Sequence, residues 1–299
     1  MKKKTHKNLD VLPDASEVIH YDRQEIPLYI RKGILSDFPG MRALCHWHED
    51  FEFVRVLEGE MQYFISGKRV ALKKGDCLFV NARQMHYGYG VLGQECIFLV
   101  VLIHPSLLSA NPYLNQNYIE PLKSNPSLPY LNIRPEQPAH EWFMPAMDDL
   151  YALKQQNNDG YELKALSILT DLIYRIYCER SLAVTQSSKE DPRLIAHRQM
   201  VSFIAAHYRD DISLDMIADS ASVSKSTCCR IFQEFIGQSP FSFLITYRLH
   251  VSCDLLENTD KSITEIAGLC GFNHVSYYSK LFLKYYGCQP RAWRMKQKS

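Results

Sequence analysis

Ser262–Arg294 reads SITEIAGLCGFNHVSYYSKLFLKYYGCQPRAWR, and two successive helical patterns lie inside it. Ser262 is followed three residues later by Glu265, the spacing of a capping box, in which serine and glutamate each satisfy an orphan N–H of the first turn. Ile263, Ile266, Ala267 and Cys270 then fall on one helical face. Gly271 comes where a tight turn needs a residue tolerant of positive φ. Beyond Phe272 a second pattern begins, with Tyr278, Leu281, Phe282 and Tyr285 on one stripe. Its opposite face carries Asn273, Ser276, Tyr277 and Lys280, groups with little reason to be buried. Two short helices, a glycine-containing turn and a polar outer face on the second helix describe a helix-turn-helix.

Charge supports a polyanionic partner for this stretch. The whole chain of 299 residues has a net charge of only +1. From Ser262 onward, however, six basic residues (Lys280, Lys284, Arg291, Arg294, Lys296, Lys298) stand against one acidic residue, Glu265. Positive charge gathered on one module is the electrostatic footprint of phosphate binding.

The length allows two domains with cores of their own. Lys2, Lys3, Lys4 and Lys7 are not followed by an apolar segment, so no signal peptide is expected. The longest apolar run, Cys96–Ile103, is too short to cross a bilayer and suits a buried strand. Nine cysteines, an odd number without framework spacing, point to reduced thiols and a cytoplasmic protein.

Working outward from the C-terminus, the same helical texture extends back to Pro192 and repeats. Asp211-Ile212-Ser213-Leu214 opens a helix through Ile217, Ala218 and Ala221. A turn at Ser222-Val223 leads to a second helix, Ser224–Phe235, closed by Gly237. Cys228, Ile231, Phe232 and Phe235 form its inner stripe, while Lys225, Ser226, Cys229 and Arg230 face out. Cys228 and Tyr278 hold equivalent places, so the units 213–236 and 262–286 are two copies of one device, joined by a helix from about Pro240 to Leu256. Ser222 stands where the second copy has Gly271 and is expected to carry backbone strain. Cys228 beside Cys229 reads as a buried core residue with an exposed neighbour rather than a redox pair.

Upstream, the texture changes. LYIRKGIL, FEFVRVLEG, EMQYFISGKRVAL, DCLFVNA and ECIFLVVLI, between Leu28 and Ile103, are short strand-like runs, with a hairpin turn at Ser66-Gly67-Lys68. They predict a small β-barrel or jelly roll. Residues 104–138 are poorly patterned. Helices follow at Glu141–Gln155 and Tyr161–Arg180, the latter with a wide stripe including Leu166, Leu169, Leu172, Ile173 and Ile176. That stripe either packs on its own domain or forms a subunit interface. The expected organisation is an α+β multidomain chain: barrel 1–138, helical dimerisation or support segment 139–182, linker 183–191, and an all-α domain 192–299.

Residues 192–299 resemble the DNA-binding domain of the AraC/XylS family of bacterial transcription regulators. The resemblance is carried by SLDMIADSASVSKSTCCRIFQEFIGQSPFSFLITYRL, LLENTDKSITEIAGLCGF and YYSKLFLKYYGCQPRAWR. It implies that both units insert a helix into successive major-groove segments of double-stranded promoter DNA, with reading heads roughly 34 Å apart. Carried over by position, the base-facing residues are Lys225, Ser226, Cys229 and Arg230, then Asn273, His274, Ser276, Tyr277 and Lys280. Arg230 and Lys280 suit guanine O6 and N7, and Asn273 suits adenine or a phosphate. Arg291 and Arg294 contact backbone phosphate or cap their own helix.

Gly40-x5-His46-x-His48-x3-Glu52-x6-Gly59, then Gly75-Asp76 and His86, resembles the cupin signature. His46 and His48 point the same way in a strand, and Glu52 keeps that parity. His46, His48, Glu52 and His86 form a His3Glu set of the kind that binds Fe, Mn, Ni or Zn. The second motif departs from the pattern, with Asn81 and Arg83 where cupins favour Pro and Gly. Two readings stay open: a divalent metal in the barrel, or a metal-free pocket whose same residues hydrogen-bond a small polar effector. Trp47, Phe51, Phe53, Tyr63, Tyr87 and Tyr89 suit stacking on a sugar ring, or barrel core.

The reading as a whole is a ligand-responsive transcription regulator that requires no cofactor. It acts as a homodimer, and activation through RNA polymerase is the commoner mode in the family it resembles. The alternatives are a metal-dependent cupin enzyme with a helical appendage and a constitutive regulator whose barrel only dimerises.

Overall fold

The computed structural model describes residues 9–12, 15–23, 25–91, 94–179 and 192–298. The expected linker 183–191 lies outside the described residues. Contacts divide the chain into two units: Ile19–Leu35 with Trp47–Asp191, and Met1–Val18 with Ser36–His46 and Pro192–Ser299.

The first of these is a β-structure backed by helices. Its strands are β1 Leu28–Ile34, β2 Phe51–Glu58, β3 Glu60–Ile65, β4 Lys68–Lys73, β5 Cys77–Val80, β6 His86–Gly90, β7 Ile97–Ile103 and β8 Tyr130–Ile133. They form two antiparallel sheets, in the orders β1-β7-β2-β5-β8 and β4-β3-β6. The β3–β4 hairpin turns on Ser66 and Gly67, at φ +44° and +90°, the doubly positive geometry that keeps strand twist in register.

Strand alternation decides what each residue of β2 can do. Phe51 and Phe53 point out of the sheet into a core shared with the helices α3 Phe143–Gln156 and α4 Tyr161–Glu179, and Phe53 lies 5.5 Å from the Phe143 ring. Leu169, Leu172, Ile173 and Ile176 of α4 enter that same core. The inner stripe of α4 therefore packs on its own domain, and the helices at 139–179 are one body with the sheet. Glu52, between the two phenylalanines, faces the other way. Phe51 and Phe53 are therefore core and are not available for stacking in the pocket of Glu52.

The stretch 104–138, poorly patterned in sequence, contains α1 Pro112–Leu114, a π-helical turn Asn115–Ile119, α2 Glu120–Lys123 and the edge strand β8. Four residues are too short a run for periodicity to register. The proposed contiguous barrel of 1–138 also needs correction. Residues 36–46 hold 3-10 turns at Leu35–Asp37 and Pro39–Met41 instead of strand, and contacts group them with the C-terminal unit. His46 and His48 consequently precede β2, with only an isolated bridge at His46 and Trp47, so strand parity is not what orients them.

The C-terminal unit is built from α5 Pro192–His207, α6 Leu214–Asp219, α7 Lys225–Phe235, α8 Pro240–Asn258, α9 Ile263–Leu269, α10 Val275–Tyr286 and α11 Pro290–Lys298. Serine opens four of them: Ser213, Ser224, Ser239 and Ser262 each accept from an N–H of the first turn. At Ser262 the capping box is complete, with the Ser262 N–H donating to Glu265 Oε2 at 2.7 Å. Leu249, Cys253 and Leu256 of α8 form one core with Ile266, Ala267, Cys270, Tyr278, Phe282 and Trp293. Tyr285 does not join it, being 37% exposed. Tyr286 packs there instead, since 278, 282 and 286 follow at four-residue steps along one face.

Among the described residues no helix is long and apolar enough to cross a membrane.

Candidate nucleic-acid interface and effector pocket

The two turns show how a duplicated motif meets one geometric demand with different residues. Gly271 has φ +79° and Ser222 has φ +54°, so both copies place a left-handed residue between their helices. Serine at that conformation costs about 1–2 kcal/mol relative to glycine. The second helix of each copy then starts at Ser224 or His274, and buries Cys228 or Tyr278, both fully.

On α7, Lys225, Ser226 and Arg230 are exposed and Cys229 is half-buried. Lys225 Nζ pairs with Asp215 Oδ1 of α6 at 2.7 Å. Gln233 is exposed on the same outer stripe, one turn beyond Arg230. Sequence reading passed over it, although its three- and seven-residue spacing from Arg230 and Ser226 was a usable signal. On and before α10, Asn273, His274, Ser276, Tyr277 and Lys280 are all exposed, with Tyr277 at 51%. Arg291 is exposed at the start of α11.

Arg294 takes a different role. It donates through Nη2 to the Lys261 carbonyl at 2.6 Å and through Nε to the Leu256 carbonyl at 3.3 Å. It thus holds the last turn of α8 and the lead into α9, not its own helix. Burial pushes the Cys228 thiol up to about 11, with Cys229 adding to the shift, which leaves it a core group and not a reactive one. Between the two units, the 19 residues of α8 span about 28 Å at 1.5 Å per residue.

The β-unit carries a second, chemically distinct site. His48 Nε2 lies 3.0 Å and His86 Nε2 2.9 Å from the same oxygen, Glu52 Oε2. The Tyr63 hydroxyl donates to the other oxygen, Oε1, at 2.6 Å. All four side chains are buried. Gly88, opposite Tyr63 in the β3–β6 ladder, makes room for the phenol, because an added Cβ would sit 2.9 Å from the Tyr63 ring. Gly88 and the buried Asp50, which accepts from the Tyr21 hydroxyl at 2.8 Å, were not among the expected site residues.

Hydrogen bonds at the other ring nitrogen order these histidines. His48 Nδ1 lies 3.1 Å from the Asp50 carbonyl, and His86 Nδ1 lies 2.8 Å from the Gln84 carbonyl. A carbonyl accepts only, so each Nδ1 carries a proton and Nε2 is turned to Glu52. An imidazole Nε2 lone pair and a carboxylate cannot sit at 3 Å without a proton or a cation between them. Burial alone would raise the Glu52 carboxyl. The charges of His86 and His48 and their hydrogen bonds outweigh it, holding the group well below the usual carboxylate range. The site is thus built to keep one negative charge among donors.

His46 belongs to the 36–46 segment. Its Nδ1 lies 2.8 Å from the Leu44 carbonyl, repeating the pattern, and its Nε2 is 3.3 Å from Glu17 Oε2. Trp47 is half-buried. Tyr87 packs against Phe64 and Tyr89, a core arrangement. The two departures from the cupin pattern prove structural. Asn81 donates to the Leu122 and Leu128 carbonyls, and Arg83 takes φ +63°, the conformation for which cupins favour glycine.

Comparison with known proteins agrees with both halves. A helix-turn-helix domain model matches residues 217–296, and a cupin domain model matches residues 38–102. Over 288 residues the chain is 25% identical to an uncharacterised HTH-type transcriptional regulator, YdeC, of Bacillus subtilis, covering 96% of this chain and 98% of that protein. It is 26% identical to the HTH-type transcriptional activator RhaS of an Enterobacter species, over 83% of this chain and 86% of that one. A solved transcriptional regulator from Chromobacterium violaceum with an AraC-type DNA-binding domain is 28% identical over 34% of this chain and 92% of that chain, with a TM-score of 0.34. With a helix-turn-helix domain, a cupin domain and similarity along most of its length to HTH-type transcriptional regulators, the chain is a DNA-binding transcription regulator similar to those of the AraC type.

Proposed function

We propose that this regulator reads promoter DNA through the outer faces of α7 and α10 and is controlled by a small polar effector held at the His48–Glu52–His86–Tyr63 cluster. The observation that carries the DNA half is the pair of reading faces, exposed along their length and built on equivalent scaffolds. Arg230 and Lys280 donate to guanine, Asn273 and Gln233 suit adenine, and Ser226, Ser276 and Tyr277 add hydrogen bonds. Lys225, His274 and Arg291 lie toward phosphate, and Cys229 offers apolar contact to a thymine methyl. Selection of binding sites from random duplexes, followed by footprinting, tests this. Protection of two successive major-groove segments on one DNA face is expected, and sequence-independent binding alone would refute it.

For the effector, a buried carboxylate with two imidazoles and a phenol offers donors and an acceptor suited to a hydroxylated metabolite, a sugar-like compound among them. Trp47 and His46 border that stretch of sequence. A saturable ligand raises the thermal midpoint of the protein, and Glu52→Gln abolishes the shift. The donor set also fits a divalent ion, because the carbonyl-bonded Nδ1 atoms leave Nε2 as the ligating nitrogens. Zn, Ni, Mn or Fe would then be held by His48, Glu52 and His86, with His46 as the fourth donor of the motif, and would anchor effector oxygens. Metal analysis of purified protein separates the two forms of the site.

The chain acts without catalysis, in the cytoplasm, as a homodimer supported by the α3–α4 pair, and recruits RNA polymerase when its half-sites are filled. Linking two moderate DNA binders raises avidity through effective concentration. Sedimentation and promoter-reporter assays test these points. Turnover of a sugar or aromatic substrate by the metal-loaded protein would favour the enzyme reading instead.

A further inference from the structure

Arg248 stands near the middle of α8, between the parts of that helix that serve the two helix-turn-helix copies. Before it, Phe243 packs against Phe232 of α7 and against Tyr247, at ring distances of 5.8 and 6.3 Å. After it, Leu249, Cys253 and Leu256 enter the core of the second copy. The α8 rod therefore sets the distance between the copies. How far one copy is turned about that rod relative to the other needs a contact off its axis.

The Arg248 guanidinium makes such a contact. Nε donates to the Tyr208 carbonyl at 2.6 Å and Nη2 to the Asp210 carbonyl at 2.8 Å. Both carbonyls lie in the short lead from α5 into α6, the first helix of the first copy. That lead is itself held. The Asp210 N–H donates to the His207 carbonyl at 2.9 Å, the Ile212 N–H donates to the Asp210 carbonyl at 3.1 Å, and the Tyr208 ring lies 5.4 Å from Tyr247. The same guanidinium meets the turn of the second copy. A Cβ on Gly271 would stand 2.9 Å from Arg248 Cζ and Nε, and the Phe272 ring centroid lies 5.8 Å from Cζ. Phe272 is buried and packs on Tyr278, the core residue of α10, at 5.1 Å. One planar group thus joins the entry to α6 with the turn before α10. Its two donors share one edge in a fixed plane, which the single ammonium of a lysine cannot reproduce.

We propose that Arg248 is a positioning residue that fixes the rotation of the two reading helices relative to each other, and so sets the spacing of the two DNA segments the regulator accepts. This rests on the reading of α7 and α10 as the DNA-facing helices. Arg248 is half-buried and its Nε and Nη2 are taken up within the chain, so it acts through the turn it holds and not by touching DNA. Each base pair inserted between two segments turns one against the other by about 34° and moves it about 3.4 Å along the axis. A rigid pair of reading heads discriminates against such a step. A pair free to turn accepts several spacings, each at a lower effective concentration.

The test uses the two-segment site selected from random duplexes, in four forms: parental spacing, one base pair inserted, one base pair removed, and one segment scrambled. Fluorescence anisotropy with the full-length protein gives the affinities. The parent should favour its own spacing over either neighbour by about tenfold or more. Arg248→Met keeps an apolar stem of similar length but has no donors. In it that ratio should fall by about fivefold or more, while affinity for the single-segment duplex stays within about twofold of the parent. Arg248→Lys should fall between the two. Circular dichroism and thermal melts check the fold. Where Arg248→Met does not fold, Arg248→Lys carries the test and must show the lower ratio with single-segment affinity kept. A folded variant that retains the parental ratio, or loses affinity equally on every duplex, overturns the role of Arg248 alone. A parent with no spacing preference overturns the two-helix reading and this role with it.

Discussion

A Cβ placed on Gly271 would stand 2.6 Å from the carbonyl oxygen of Tyr208, a backbone atom that cannot turn aside. The same residue holds φ +79°, so alanine there meets both a clash and an unfavourable conformation. Gly271→Ala should destabilise the C-terminal unit by about 2–3 kcal/mol and weaken promoter binding. Ser222→Gly, at the equivalent turn, should act in the opposite direction by about 1 kcal/mol. Denaturant unfolding of both variants reads these signs, and a neutral Gly271→Ala would disprove the account of the turn.

Arg230 and Lys280 are exposed near the middle of the two reading helices. Replacing either by alanine should weaken specific binding by about 1–3 kcal/mol and relax sequence preference at one position of the site. Gel-shift titrations on the selected duplex and on single-base variants would measure both effects. Retained affinity in both variants would exclude these helices as readers.

The Lys225–Asp215 pair is exposed, with side chains 57% and 58% accessible, so it adds little stability and DNA can displace it. Asp215→Asn should leave the unfolding midpoint nearly unchanged. Non-specific DNA affinity should rise, because a negative charge beside the phosphate face is gone and Lys225 is released. The salt dependence should steepen by about one phosphate contact, a slope change of roughly 0.9. A fluorescence-anisotropy series in salt supplies the slope.

His197 is fully buried against Phe232 and Phe235, and neither ring nitrogen has a hydrogen-bond partner. Burial, with the nearby charge of Arg198, pushes it down from 6.5 to about 3. The unfolded chain therefore binds a proton that the folded chain refuses. The stability tied to this neutral ring is complete above about pH 6.5 and is lost as pH falls toward 3. At pH 5, 1.5 units below the unfolded value, the loss is about 2 kcal/mol. His250, brought down to about 4 by burial, acts in the same direction. In His197→Phe the stability–pH curve should flatten between pH 6.5 and 4, as followed by thermal melts across that range. An unchanged slope would show that the ring is already charged in the folded protein.

Much of the C-terminal half was legible because its signals are local. Serine caps, the Ser262–Glu265 box and the left-handed turn residue each act within four or five positions, and apolar periodicity marks Cys228 and Tyr278 as core. Tyr285 failed as a core residue because positions 285 and 286 differ by only one step around the helix. Which of them faces Trp293 depends on where α11 docks. The barrel was legible as alternating strands with a glycine turn. β8 was not, because three half-buried residues and one buried residue become a strand only by pairing with β5.

At the pocket the division is sharper. By itself the sequence determined that two histidines and a glutamate occur at motif spacing, that a third histidine opens a later strand, and that two copies of one DNA-reading device close the chain. Tertiary structure alone decided that Glu52, not Phe51 or Phe53, faces Tyr63, and that Gly88 leaves space for the phenol. It also set which ring nitrogen of His48 and His86 turns inward, and it left Arg294 bound to α8. Each of these depends on groups distant in sequence, brought within 3 Å or so by sheet register and helix docking. Periodicity reports which face of an element is apolar, but not which neighbour will meet it.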